Sequence, residues 1–290
     1  MGTLHVVATP IGNLEDMTLR SLRVLREADA VYAEDTRRTR VLLERYEIQR
    51  RLTSLHAHNE SSRLAEVLGR LAEGEEIALV TDAGTPLISD PGGRLVEAAA
   101  DAGHQVTALP GPSAVLAAVA SCGLRITSFT FLGFPPRRSG PRQKLFESYV
   151  QSEPALVLFE SPQRLASTLV DLVKVFGPNR RACVARELTK MHEEIVRGSL
   201  ADLQDHYAQS PRGEIALVVE GAQSEDRPEL EPDEIERSVR ALVDQGLRAR
   251  EIASELAGSL GVPRREIYAI AVRLLQAVEA EEEPSSGRYE

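Results

Sequence analysis

The residues best suited to chemistry lie in five short segments, each directly after an apolar run: Thr9-Pro10-Ile11-Gly12-Asn13-Leu14, Glu34-Asp35-Thr36-Arg37-Arg38, Asp82 to Gly93, Pro110-Gly111-Pro112-Ser113-Ala114, and Arg186-Glu187-Leu188-Thr189-Lys190. The third, Asp82-Ala83-Gly84-Thr85-Pro86-Leu87-Ile88-Ser89-Asp90-Pro91-Gly92-Gly93, is the richest. Its small residues let a ligand approach the backbone beyond the carboxyl end of a strand. No Gly-Lys-Ser/Thr follows and no Lys is near, so a phosphate-binding loop is disfavoured, and the two Asp residues would repel phosphate. A ligand neutral or cationic around its reactive atom fits better. Each segment also has an ordinary reading: four Gly or Pro residues within the nine positions 84–92 make a tight loop, Asp35 or Thr36 caps a helix, Pro112 starts one, and Glu187 pairs with Arg186 or Lys190. Taken jointly, five such loops would meet at one rim of a sheet.

The elements that must position these segments alternate. Leu4–Thr9, Ala30–Ala33, Ile77–Thr81 and Gln105–Leu109 read as short strands, and Asn59–Glu73 as a helix with Leu64, Val67, Leu68 and Leu71 on one face and Asn59 as its cap. This pattern predicts an α/β domain with a largely parallel sheet over residues 1–123. A second set follows over 124–222: strands at Phe129–Phe134 and Ala155–Phe159, helices near Arg142–Gln151 and over Ser161–Phe176, then strands near Arg181–Leu188, His192–Arg197 and Glu214–Val219. Adjacent strands without helices between them predict a mixed sheet, and the boundary falls near Gly123–Thr127. Ala222–Pro232 reads as an acidic linker. Three short helices then occupy 232–279 (Pro232–Asp244, Arg248–Leu260 and Pro263–Ala277), separated by Gly246 and Gly261, and 280–290 reads as an acidic tail. The three helices suit either a helix-turn-helix-like bundle or a helical cap without a binding role.

Composition narrows the function classes. No apolar run approaches the ~20 residues a membrane span needs, and no basic region precedes the first apolar run, so neither a membrane protein nor a secretory signal is expected and the cytoplasm is the expected compartment. Cys122 and Cys183 lie far apart in apolar surroundings, which argues against a disulfide scaffold or a zinc site, and no metal is expected. The net charge of −10 argues at first against nucleic acid. Yet residues 224–236 carry seven acids and one Arg, and 277–290 five acids and one Arg, which together account for the whole excess. Against the balanced remainder stand basic clusters: Arg37, Arg38 and Arg40; Arg50 and Arg51; Arg137, Arg138, Arg142 and Lys144; Arg264 and Arg265. Any one cluster is ordinary solvated surface. The set is more suggestive.

Eight runs, Val7–Leu14, Ala33–Arg37, Asp82–Gly92, Leu109–Ala114, Gly133–Pro136, Phe159–Pro162, Ala185–Lys190 and Gly213-Glu214, resemble in order the type I ribosomal RNA small-subunit methyltransferase family, within the tetrapyrrole methylase-like superfamily. The resemblance spans about residues 3–221. The last helices look like that family's appended helix-turn-helix segment, although Pro263 stands where a capping Ser is more usual. The resemblance implies a bilobal α/β enzyme with S-adenosylmethionine in the cleft between the lobes. It implies 2′-O-methylation of a cytidine in the decoding region of 16S rRNA, with the rRNA or the small ribosomal subunit as partner, and a homodimer. On the matching positions Pro10, Asp82, Ala83, Gly84, Thr85, Pro86, Ile88, Ser113, Ala114, Phe131 and Leu217 would line the cofactor pocket.

Methyl transfer to a ribose hydroxyl is an in-line displacement that needs alignment and a proton acceptor. Lys190, Glu187 and Asp35 are the candidate acceptors, Lys190 on condition that burial and Arg186 depress its pKa. If residues 184–190 are extended, Arg186, Leu188 and Lys190 share one face and Glu187 and Thr189 the other. Arg37, Arg38, Arg137, Arg138, Arg142 and Arg186 suit phosphate contacts, because a guanidinium stays charged and forks onto phosphate oxygens. Two rivals remain: a tetrapyrrole methyltransferase, which would need neither the basic 133–144 stretch nor the last helices, and a small-molecule-sensing DNA-binding regulator, for which the 34–38 and 186–190 segments would be superfluous.

Overall fold

The computed structural model describes residues 2–222, 232–260, 262 and 264–282. The chain divides into two compact units, Met1–Ala222 and Gln223–Glu290. Most of the acidic linker, Gly261, Pro263 and the tail from 283 lie outside the described residues.

In the first unit, β1 (Thr3–Val7), β2 (Ala30–Ala33), β3 (Leu52–Ser54), β4 (Ile77–Val80) and β5 (Gln105–Leu109) form a parallel sheet in the order β3-β2-β4-β1-β5. The inner strands β2 and β4 are apolar and buried throughout, as strands covered on both faces are, whereas the edge strands β3 and β5 are more polar and partly exposed. Ile77 and Leu79 of β4 pack with Val67 and Leu71 of α3 (Glu60–Ala72) and Leu95 of α4 (Gly93–Asp101). Ala78 and Val80 pack on the other face with Leu22 and Leu25 of α1 (Leu19–Glu27) and Leu42 and Leu43 of α2 (Thr36–Arg45). At about 1.5–3 kcal/mol for each large side chain fully buried, these two layers supply the main stabilisation of the lobe. Asn59 stands at the start of α3 but does not cap it: its Oδ1 accepts from the His56 N–H and its Nδ2 donates to the Ser54 carbonyl, so it ties down the loop before the helix instead.

The second sheet is mixed, in the order β6-β7-β10-β8-β9. It comprises β6 (Phe129–Phe131), β7 (Ala155–Glu160), β8 (Arg181–Arg186), β9 (Glu194–Ser199) and β10 (Ile215–Val219), with only β6 and β7 parallel. One face is covered by α6 (Ser139–Glu147), α7 (Pro162–Phe176) and α8 (Leu200–His206), through Phe146, Leu165, Leu169 and Leu203. The other face, Val157, Cys183, Ala185, Ala216 and Val218, packs on Val115, Ala118 and Cys122, which belong to or end α5 (Ala114–Ser121). Thus α5 follows the first sheet in the chain but packs on the second. Arg197 of β9 donates to the Ser121 and Cys122 carbonyls at its C-terminus, satisfying groups a helix end leaves open.

Several boundaries differ from expectation. The short strand β3 and helix α8 escape periodicity because three and seven residues are too few to show it, although Ser199 and Asp202 form the reciprocal capping box that marks the start of α8. The expected strand 181–188 stops at Arg186 because Glu187 and Thr189 adopt left-handed φ values of 52° and 65°. In the second unit α9 (Pro232–Val243), α10 (Ala249–Leu260) and α11 (Arg264–Glu282) enclose Val239, Ile252, Ala253, Ile267 and Ala271. No described helix is long and apolar enough to cross a membrane.

Candidate active site

The connection from β1 runs to β2 on one side of the sheet centre and that from β4 runs to β5 on the other. These adjacent strands thus feed connections that leave in opposite directions, the switch point at which α/β sheets bind ligands in the crevice beyond the strands' carboxyl ends. Thr9 and Gly84, just beyond the two strands, exchange a pair of 2.9 Å backbone hydrogen bonds that lock the loops together. The loop after β4 is unusually constrained. Gly84, Leu87, Ser89 and Gly92 all have positive φ, and a Cβ on Gly92 would lie 2.8 Å from a Leu79 methyl. Such conformations in non-Gly residues persist only where the surroundings enforce them, and they concentrate at ligand sites.

Above this crevice is a cavity of about 480 Å³ walled by both lobes. That volume suits a small organic ligand. The first lobe contributes Ile11, Glu34, Arg38, Asp82–Thr85, Ile88–Asp90 and Ser113–Val115; the second contributes Phe134, Phe159–Pro162, Ala185, Leu188 and Gly213–Ala216. Ser113 is placed there as the N-cap of α5, its Oγ accepting from the Leu116 N–H. The first-lobe wall carries three carboxyl groups, Glu34, Asp82 and Asp90, against one guanidinium, Arg38, which lies 3.5 Å from Asp82. Glu34 accepts from the Thr81 hydroxyl at 2.8 Å, and Asp82 from the Asp35 N–H at 2.9 Å. Burial raises the Asp82 pKa, with Glu34 adding to it. Burial, reinforced by Glu34 and Asp82, pushes Asp90 up to about 6. Negative wall groups beside the apolar Ile11, Val115, Ala185, Leu188 and Ala216 fit a cationic ligand with an apolar body, which is the chemistry of a sulfonium nucleoside.

Of the residues expected to hold the cofactor, Asp82, Ala83, Gly84, Thr85, Ile88, Ser113 and Ala114 border the cavity, whereas Pro10, Pro86, Phe131 and Leu217 do not. Phe131 stands behind the wall, edge-on to Phe159. Leu217 faces away from it, because alternation along β10 sends Ala216 and Val218 toward α5 and Leu217 into the core under α7.

The three expected proton acceptors also stand off the cavity surface, each in a tight pair. Asp35 caps α2 and accepts from the Arg37 backbone and guanidinium, the latter at 2.6 Å, which holds its carboxyl well below the usual range. Glu187 accepts from Lys190 at 2.8 Å and from the Glu214 N–H at 2.9 Å, and the Lys190 bond lowers its pKa. The Lys190 ammonium is partly buried, which works against its charge, but Glu187 and Glu214 outweigh that and raise its pKa. The expected depression by Arg186 does not arise, since Arg186 pairs with Glu194 at 2.9 Å. The expected parity fails as well: the turn at 187–189 brings Glu187 and Lys190 together, whereas an extended strand would separate them.

Among the arginines, Arg38 borders the cavity, Arg37 is exposed but paired with Asp35, and Arg137 and Arg138 are exposed with no ion pair among the described residues. Arg142 is a correction. It is 2% exposed and its guanidinium is spent on Asp171 at 2.5 Å and the Ser167 carbonyl, so it braces α6 against α7 and is closed to phosphate. Sequence reasoning left out Glu34, Asp90, Phe134, Phe159, Glu160 and Gly213–Ala216 as site residues. All but Ile215 and Ala216 lie in quoted runs, and what was missing was the folding that turns them to one cavity.

Residues 3–204 match the family of tetrapyrrole (corrin/porphyrin) methylases. A protein of Synechocystis sp. named ribosomal RNA small subunit methyltransferase I is 43% identical over 275 residues, covering 94% of this chain and 99% of its own length. One of the same name from Thermotoga maritima is 46% identical over 222 residues, 76% of this chain and 99% of its own. In fold, the chain is similar to the uroporphyrin-III-C-methyltransferase structure from Thermus thermophilus, with a TM-score of 0.54 and 22% identity over 76% of this chain and 94% of that one. With its two sheets, the constrained loop after β4 and the cavity above it, the chain belongs to the tetrapyrrole methylases and, within them, to the ribosomal RNA small subunit methyltransferase I family.

Proposed function

We propose that this protein transfers a methyl group from S-adenosylmethionine to the 2′-hydroxyl of a cytidine in the decoding region of 16S rRNA, acting in the cytoplasm as a homodimer on the rRNA or the small subunit. The observation that carries the reading is the pairing of full-length relatives named for small-subunit rRNA with a cavity whose wall suits a cationic nucleoside. Asp82–Thr85, Ile88, Ser113 and Ala114 would hold the cofactor, which supplies an electrophilic methyl carbon. The chain's own task is then to exclude water, align the hydroxyl and accept its proton.

For that last step we assign Asp90. It borders the cavity, and a carboxyl at about 6 is ionised at neutral pH yet basic enough to take a proton as the bond forms. Asp35 and Glu187 are too acidic and too firmly paired, and Lys190 keeps its proton. The Glu187–Lys190–Glu214 cluster acts as a brace: Lys190 Cγ would lie 2.4 Å from a Cβ on Gly12, so the first lobe's loop rests directly on it.

The tetrapyrrole reading shares the cofactor site, and the likeness that favours it is one of fold at 22% identity. One experiment separates the two. The protein is incubated with methyl-labelled S-adenosylmethionine and either small subunits from cells lacking the endogenous activity or a uroporphyrinogen. Label in a cytidine ribose of 16S rRNA is expected; label only in the macrocycle, or none in the ribose, sinks the proposal.

A further inference from the structure

Phe134 is 58% exposed, a large apolar side chain left open on the cavity wall. Ile88, at 42%, also borders the cavity but has no aromatic face, whereas Leu19, Val41 and Met191 are exposed away from it. The Phe134 ring is supported from behind. Its centroid lies 5.6 Å from that of Phe159, which sits edge-on at 5.0 Å to Phe131 in the sheet. Three rings therefore lead from the core to the rim.

The loop that carries Phe134 is held firmly. Gly133 has a φ of 63° and its carbonyl accepts from the Phe159 N–H at 2.9 Å. Arg164 donates to the Pro135 carbonyl at 2.7 Å and pairs at 3.0 Å with Glu160, whose side chain is fully buried and also accepts from the Thr168 hydroxyl at 2.6 Å. A Cβ on Gly133 would meet Ser89 Oγ at 3.5 Å, so this loop abuts the segment that carries Asp90. Three and four residues past Phe134 stand Arg137 and Arg138, exposed and without ion pairs among the described residues.

We propose that Phe134 is the stacking platform for the nucleobase of the ribonucleotide being methylated, with Arg137 and Arg138 on the adjoining phosphates. This inference rests on the RNA-methylation reading above. Drawing one nucleotide into a cleft costs its stacking with neighbours, and an aromatic face replaces that contact for any base. The two guanidiniums favour an anionic strand here and disfavour a cationic cofactor, which suits the acidic wall of the first lobe instead. The proximity of Ser89 would put the ribose of a stacked base toward Asp90.

The test uses the full chain, labelled S-adenosylmethionine and small subunits from cells lacking the activity. Phe134→Ala should lower kcat/KM for subunits roughly ten- to a hundredfold, the loss expected for one stacked base, with cofactor affinity by calorimetry unchanged within about twofold and thermal unfolding unaltered. Phe134→Trp should restore most of the activity and Phe134→Leu should not, because leucine covers the wall without a π-face. Full activity in Phe134→Leu would overturn the proposal, as would a loss of cofactor affinity in Phe134→Ala equal to the loss toward subunits, which would make the ring a cofactor wall. A wild-type protein that leaves the rRNA unlabelled removes the function reading itself, a result seen before any variant is made.

Discussion

Asp90 shows how a single carboxyl can be tuned by its neighbours. Its native pKa of about 6 against an ordinary 3.8 means that the folded protein holds a proton the unfolded chain has lost across that interval. The group therefore favours the folded state below the interval and loses that contribution as pH rises through it. Asp90→Asn is expected to be more stable than the wild type above pH 6 and to converge on it as the pH falls below 3.8, as read by denaturant midpoints. The same substitution should lower kcat by about 10²–10⁴-fold, and it should abolish a rise in kcat/KM centred near the wild-type value; an unchanged acid limb would remove Asp90 from the proton step. Arg142 makes the opposite point, that a charged residue in a basic cluster can be structural. Arg142→Met strands the buried Asp171 carboxylate, for which a loss of about 3–5 kcal/mol is expected, with no change in the salt dependence of RNA binding. A reduced salt slope would place its guanidinium on phosphate after all.

At the scale of elements, the loop after β4 carries the largest share of site geometry. Gly92 stands just before α4 as its N-cap with a φ of 115°, where an L side chain is strained, and its missing Cβ leaves room for Leu79 and Leu87. Gly92→Ala should cost about 1–3 kcal/mol and loosen the segment that buries Asp90, so the acid limb of the rate profile should move toward the ordinary carboxylate value. Thermal melting together with a pH series checks both halves; a destabilised variant with an unshifted limb would show that the loop does not tune Asp90. The composition of this loop by itself reads as a tight turn; its place after an apolar strand, the companion segments and the family resemblance are what made it a candidate ligand wall in the sequence. The turn at Glu187–Thr189 was not legible, because its left-handed residues are neither Gly nor Asn and nothing local announces them.

For the whole molecule, the 222-residue match with the Thermotoga maritima relative spans nearly all of that protein but only 76% of this chain, a length equal to that of the first compact unit, Met1–Ala222. Every residue of the cavity lies within it. A chain ending at Ala222 is therefore expected to fold with a cooperative transition and to bind S-adenosylmethionine within about twofold of the full chain, the second unit having its own apolar centre around Val239, Ile252 and Ile267. Circular dichroism and calorimetry test this, and a truncated chain that unfolds would show that the two units depend on each other.

What the amino-acid order determined by itself was local: apolar runs with a period near two or 3.6, turns at Gly and Pro, and the motif runs that place the chain in its family. These properties depend on neighbours a few residues away. Tertiary structure decided which carboxyls are buried, while the ion pairs of Asp35 with Arg37 and of Glu187 with Lys190 are local ones whose geometry folding fixed. Asp35, Asp82, Asp90 and Glu187 are equivalent acids in the sequence, yet ion pairing lowers Asp35 and Glu187 while burial raises Asp82 and Asp90. Leu217 and Ala216 are successive residues of one strand, and only the packing of α5 and α7 on opposite faces settles which side borders the cavity and which lies in the core. The reason is that burial and packing are set by elements remote in the chain, which periodicity and composition do not encode, whereas the pairs Asp35–Arg37 and Glu187–Lys190 join residues within three positions of each other.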